Sequence, residues 1–188
     1  RSSDEHERVQ IVNFNLNYVD ERFAKTLTKI YSKLFLDYAV TLSNNKDFSV
    51  EIMLEEAHRY VTVDSDTNIL GYNIFDRITK EGRKYGVILG LITQRPSELS
   101  TTALSQCSNY TVLRMYHPAD IQIVRDISNG ISEHDLDKLK TLASGTALCF
   151  GTAFKLPLFA KIDLANPTPS SSNVAVSRQW FATPEVIE

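Results

Sequence analysis

The sequence has little cysteine, no long apolar run and no dominant charge, and each shortage removes a class of protein. Its two cysteines, Cys107 and Cys149, have no near neighbour of their own kind, which leaves neither a disulfide framework nor a CxxC metal or redox motif. Reduced, partly buried thiols are expected. No window nears the roughly 18 consecutive apolar residues of a membrane-spanning helix, and Arg1-Ser-Ser-Asp-Glu-His-Glu-Arg8 has no signal-peptide core behind it. The expectation is a cytoplasmic protein without a membrane partner. A net charge of -3 with a pI near 5.8 gives no general basic field, so any contact with nucleic acid must be local. His6, His117 and His134 show no metal-ligand spacing with each other or with the cysteines, and no zinc-type site is expected.

What is there is ordinary: 188 residues, 43% hydrophobic and 23% charged, enough to bury one substantial core. Val9-Gln-Ile-Val-Asn-Phe14 reads as a short strand. From Asp20, a candidate N-cap, to Ala39 the apolar residues take helical spacing, with Phe23, Leu27, Ile30, Leu34 and Tyr38 on one stripe. Val50 to Leu54 is a second strand, and Ile69 to Glu81 is a helix that stops at Gly82. Gly86 to Ile92 is apolar throughout, as suits a strand covered on both faces in a parallel sheet. A short helix near 100–105, a strand over Tyr110 to Met115 and a helix from Pro118 to Ile127 follow. This alternation predicts an α/β fold with a mainly parallel sheet flanked by helices.

The last third differs. Ser132 to Leu142 is a charged amphipathic helix, and Thr146 to Phe150 and Leu158 to Ile162 read as an antiparallel hairpin at a sheet edge. From Asn166 the composition turns to that of a linker, so residues 1–165 are expected to form the folded part and 166–188 an extended tail.

Two features carry chemistry. The apolar strand Ile52-Met-Leu ends in Glu55-Glu56, and paired carboxylates there suit a nucleotide hydrolase: one holds Mg²⁺ or its water, the other polarises the attacking water. Adjacent acids after a strand equally suit a solvated turn or a helix start. Gln94 ends the next apolar strand, and in a parallel sheet the C-terminal strand ends share one rim. Glu56 and Gln94 are therefore expected to face one site, where an amide can bond a γ-phosphate or the lytic water; the other reading is a loop residue capping its own backbone.

Leu54-Glu-Glu-Ala-His-Arg-Tyr60, Lys80-Glu-Gly-Arg-Lys-Tyr-Gly86 and Leu91-Ile-Thr-Gln-Arg-Pro-Ser97 occur in this order, followed by Leu104-Ser-Gln106, Leu113-Arg114, Pro118-Ala-Asp120 and Gly145-Thr-Ala147. This ordered set, over roughly Val9 to Asp163, resembles the HerA branch of the HerA/FtsK ATPases. The resemblance implies a RecA-like P-loop core and casts Glu55-Glu56 as a Walker B motif, with Glu55 associated with Mg²⁺ and Glu56 catalytic. It casts Gln94 as a polar sensor and makes Gly82-Arg83-Lys84 the candidate for a basic group reaching a neighbouring subunit's nucleotide. Arg83 suits that role better than Lys84 because its planar fork holds two phosphate oxygens. Arg77, Lys80 and Lys84 lie at helical spacing, so a solvated basic face is the competing reading. Arg95 and Arg114 are lesser candidates for nucleotide contact, and His58 receives no chemical role.

The resemblance also implies ATP and Mg²⁺ as cofactors, a hexamer, double-stranded DNA as the partner, and a nuclease or other effector as a further one. A G-x-x-x-x-G-K-[ST] loop should precede the Walker B strand, yet the first glycine is Gly71, and Ala24-Lys25-Thr26 falls inside a predicted helix without either glycine. The expectation is an incomplete core: the strand leading into that loop would sit between the strands beginning at Gly86 and Tyr110, in an N-terminal segment outside this sequence, and the 188 residues alone would hydrolyse ATP poorly. Two other readings stand beside the DNA translocase: a non-catalytic assembly module that helps an effector oligomerise, and a conjugative or secretion ATPase.

Overall fold

The computed structural model describes residues 11–42, 49–62, 71–128 and 130–169. Its regular elements are α1 (Glu21–Thr41), β1 (Val50–Leu54), α2 (Ile74–Glu81), β2 (Val87–Leu91), α3 (Thr101–Gln106), β3 (Asn109–Val112), α4 (Pro118–Ile127), α5 (Glu133–Lys138), β4 (Thr146–Gly151) and β5 (Leu158–Lys161). Short 3-10 turns follow β1 at Ala57–Arg59, α2 at Gly82–Tyr85, β2 at Pro96–Glu98 and α5 at Leu139–Thr141.

Helix starts follow local chemistry. The Asp20 carboxylate accepts the Arg22 and Phe23 amides at the head of α1, and Asn73 does the same for Phe75 and Asp76 at the head of α2. Ser100 and Ser132 cap α3 and α5 through their hydroxyls, while Pro118 opens α4, where its missing N–H is not needed. The cap explains why α2 begins at Ile74 rather than at Ile69; residues 69 and 70 lie outside the described residues. Gly82 does not stop the chain turning. The helix tightens into the 3-10 turn, and Gly86, at φ 75°, is the left-handed terminus. Gly82 is required for another reason: a Cβ there would lie 2.5 Å from the Val87 carbonyl oxygen.

The strands form two sheets. β1 and β2 pair in parallel from Val50 opposite Val87 to Leu54 opposite Leu91, while β3, β4 and β5 form an antiparallel sheet in that order. β4 and β5 give the expected hairpin. β3, expected to run on in the parallel sheet as far as Met115, ends at Val112 and takes β4 as its partner, Tyr110 lying opposite Phe150 with the two rings stacked at 4.8 Å. β2 and β3 are not paired with each other.

Each sheet has its own core. Leu36, Leu54, Val61, Ile74, Phe75, Ile78, Val87 and Leu99 pack between the parallel pair and helices α1 to α3; Val112, Val124, Leu136, Leu139, Leu148 and Phe150 fill the second cluster. A side chain as fully buried as Phe75 contributes about 2–3 kcal/mol. Asp120, buried at the first turn of α4, joins the two halves by accepting the Ser97 amide at 3.0 Å.

Three expectations need correction. Residues 11–16 form no strand, because no described strand lies beside them; Phe14 packs instead on Tyr31 with ring centroids 5.1 Å apart. The apolar stripe of α1 does not face the core: Phe23, Ile30, Leu34 and Tyr38 are exposed, and the inward face carries Leu36 together with Ala24, Ser32 and Ala39, whose small side chains let the helix approach closely. β2 is covered on one face only. Val87 is buried beneath α1 and α2, whereas Ile88, on the opposite face with Met53, is 55% exposed because no described element packs there. Ala24-Lys25-Thr26 lies within α1 and forms no loop before a helix.

Candidate active site at the end of the parallel strands

The parallel register brings the ends of β1 and β2 to one rim, where backbone bonds stitch the following loops together. The Ile92 amide donates to the Leu54 carbonyl at 2.9 Å, and the Ala57 amide donates to the Ile92 carbonyl at 2.9 Å. The chain between Leu54 and Ala57 must turn sharply to allow this. Glu56 takes the left-handed conformation, φ 52° and ψ 45°, and is the non-glycine residue at positive φ among the described residues. That backbone costs a residue bearing a Cβ about 1–2 kcal/mol, and strain of this kind gathers at functional positions.

The turn aims the Glu56 side chain across the rim. Gln94 Nε2 donates to Glu56 Oε1 at 3.2 Å, and His58 Nδ1 lies 3.4 Å from Glu56 Oε2 and 3.0 Å from Thr93 Oγ1. Thr93 Oγ1 also accepts the Arg95 amide at 3.0 Å. The Glu56 side chain stays 40% exposed against 15% for His58, so the carboxylate can reach a ligand while the imidazole sits behind it. Both members of the pair expected to share a site are thus in direct contact. His58 and Thr93 also belong to it, and spacing alone did not single them out.

The other candidates divide. Glu55 is exposed on the same loop. Arg95 is exposed and turned to Glu98, with Nη1 to Oε1 at 2.8 Å; that bond, then the charge of Glu98, raises its already high pKa. Arg114 lies two residues beyond β3 over the Tyr116 ring, 5.6 Å from its centroid, and among the described residues no hydrogen bond or ion pair joins it to Glu56. Arg83 precedes β2 and Gln94 follows it, so the five-residue strand, about 13–17 Å long, separates them and places Arg83 at the opposite end of the sheet. It is exposed, and its guanidinium has no hydrogen-bond or ion-pair partner among the described residues. Within one chain Arg83 cannot share a ligand with Glu56. Of the other basic residues of its face, Arg77 bonds Glu81 and Tyr72 and Lys84 lies over Tyr85.

No group of three or more histidine, cysteine or acidic residues able to hold a metal occurs among the described residues. A single exposed carboxylate such as Glu55 fits Mg²⁺ that completes its shell with water and phosphate oxygens rather than a caged ion. No described helix is long and apolar enough to cross a membrane. Cys107 lies partly buried and Cys149 buried, both as free thiols, and burial pushes the Cys107 thiol up.

Sequence comparison agrees with the order of motifs. The chain is 34% identical over 170 residues to the DNA double-strand break repair helicase HerA of Sulfolobus acidocaldarius, covering 88% of this chain and 34% of that protein. It is 31% identical over 186 residues to HerA of Saccharolobus solfataricus, covering 95% and 37%. The chain is a HerA/FtsK-type sequence. It spans about a third of the length of these curated HerA relatives. No protein-family model matches it. In fold it resembles the genome packaging NTPase of Sulfolobus turreted icosahedral virus 2, with a TM-score of 0.57 at 16% identity over 73% of this chain and 63% of that one. The DNA-packaging ATPase of Sulfolobus turreted icosahedral virus gives 0.55 at 18% identity, over 71% and 61%. The HerA-type chain thus has a partial RecA-like P-loop core carrying an antiparallel three-stranded sheet.

Proposed function

We propose that the chain is the Walker B and sensor portion of an ATP-driven motor that moves double-stranded DNA. The observation that carries this reading is the direct contact of Glu56 with Gln94 at the C-terminal rim of two parallel strands. Glu56 accepts a proton from the attacking water and Gln94 bonds the γ-phosphate or that water; Glu55 would hold Mg²⁺, directly or through water, and the ion would offset phosphate charge. Arg95 and Arg114 are secondary candidates for nucleotide contact. Residues 11–165 are assigned to the ATPase core; the tail expected over 166–188 lies outside the described residues from residue 170 onward.

Because Arg83 stands at the far end of β2 with no partner among the described residues, its use is in trans: it stabilises the charge on the phosphoryl group of the neighbouring subunit. That requires a ring, and a hexamer is the form proposed. The phosphate-binding loop comes from a segment of a longer protein. Among the described residues β2 and β3 are each paired along one edge only, with β1 and β4, and this and the short span relative to the HerA relatives support the reading; the 188 residues alone are expected to turn over ATP poorly. A cytoplasmic location and delivery of DNA to a nuclease or other effector complete the proposal.

The alternative is a catalytically inactive RecA-like assembly module that oligomerises or regulates an effector. Native mass and ATP turnover of the longer protein, with and without duplex DNA, separate the two. A ring whose turnover rises with duplex DNA supports the motor. A ring that neither binds nor hydrolyses ATP supports the assembly module.

A further inference from the structure

Behind the Glu56 carboxylate lies an arrangement that the pairing with Gln94 does not account for. His58 is mostly buried, and its Nδ1 faces two oxygens at once, Thr93 Oγ1 at 3.0 Å and Glu56 Oε2 at 3.4 Å. A proton on Nδ1 can bond Thr93 Oγ1 while presenting its positive end to the Glu56 carboxylate at 3.4 Å. With the proton on Nε2, a nitrogen lone pair would confront the carboxylate. Thr93 Oγ1 has two lone pairs, one taken by the Arg95 amide and the other open to His58. The imidazole therefore ties the loop after β1, bearing Glu56, to the loop after β2, bearing Gln94.

We propose that His58 and Thr93 are positioning residues: His58, in its Nδ1–H form and braced by Thr93, fixes the Glu56 carboxylate for its work on the attacking water. This use of the contact rests on Glu56 being the catalytic carboxylate. Glu56 Oε1 is held by Gln94, whose amide a γ-phosphate would draw away. Once that happens, His58 is the remaining side chain that orients the carboxylate. Misplacing a reacting group by about 1 Å can cost on the order of a hundredfold in rate. The contribution therefore belongs in kcat and not in the binding of ATP.

Two measurements test this. Long-range proton–nitrogen correlation on the 188-residue chain in mildly alkaline buffer, with the His58 signal assigned by its loss in His58→Asn, is expected to show a protonated Nδ1 and a bare Nε2. A protonated Nε2 overturns the proposal whatever the activity of the protein. In the longer ATPase, His58→Ala and Thr93→Val are expected to lower kcat for ATP by about ten- to a hundredfold with KM little changed. His58→Asn, whose amide N–H stands near the position of Nδ1–H, and Thr93→Ser are expected to recover most of the rate. Full turnover by His58→Ala in a protein that Glu56→Gln inactivates overturns the positioning role alone. Full turnover by Glu56→Gln overturns the hydrolase reading, and the role given to His58 falls with it.

Discussion

Replacing Glu56 by glycine is expected to leave the chain more stable than replacing it by alanine, although both remove the same side chain. Each substitution abolishes the contacts with Gln94 and His58, so those losses cancel in the comparison. What differs is the backbone at φ 52°, ψ 45°, where a Cβ costs about 1–2 kcal/mol and glycine costs almost nothing. Glycine returns part of this through its freer unfolded chain, about 0.4–1 kcal/mol. The mid-range values leave a net advantage of about 0.8 kcal/mol, or about 2–3 °C in Tm for a chain of this size. Thermal unfolding of the 188-residue variants in parallel provides the measurement. Equal melting, or a lower Tm for Glu56→Gly, would refute the claim that the turn presenting this carboxylate is strained.

Other consequences follow from the same contacts. Asp120→Ala leaves the Ser97 amide without its acceptor and is expected to cost about 1–3 kcal/mol in urea unfolding, with faster hydrogen exchange at Ser97. Gly151 sits at φ 125°, and a Cβ would stand 2.3 Å from the Ser108 carbonyl oxygen, so Gly151→Ala is expected to destabilise the β3–β4 pair by about 2 kcal/mol or more in the same assay. Burial, followed by the nearby Cys107, pushes the Tyr110 hydroxyl up to about 12, while its proton is donated to the Leu104 carbonyl at 2.6 Å. The folded state thus favours neutral tyrosine: this contribution is complete below about pH 10 and is lost as pH rises through about 12. Tyr110→Phe is expected to flatten that alkaline loss in stability measured against pH.

Local signals placed most of the elements because the sequence states them outright: Asp20 at the head of α1, Pro118 at the head of α4, and the apolar runs that become β1, β2 and β4. They failed where partners decide. The stripe from Phe23 to Tyr38 has helical period, yet period does not say which face is covered, and the small residues Ala24, Ser32 and Ala39 proved to be the close-packed ones. The apolar run of β2 suggested cover on both faces, but Ile88 stays exposed. β3 ends at Val112, short of Met115, because its pairing with β4 covers only Asn109 to Val112.

The candidate site was legible at Glu56 and Gln94 because strand ends in a parallel sheet share a rim, a rule that needs only the order of elements. His58 and Thr93 were not, since their meeting depends on the left-handed turn at Glu56, which no glycine announces. Arg83 was singled out by the resemblance, and its distance from Gln94 within one chain follows only from the parallel register.

Steady-state ATP hydrolysis by the longer protein, wild type against Glu56→Gln and with ATP binding measured alongside, is the most direct test of the account. Glutamine keeps the shape of the side chain and its bond to a neighbouring amide but cannot take the proton of the attacking water. Turnover falling by about a hundredfold or more while ATP still binds is the predicted result. Turnover at the wild-type rate would contradict the assignment of Glu56, and with it the reading of this rim as a site of ATP hydrolysis.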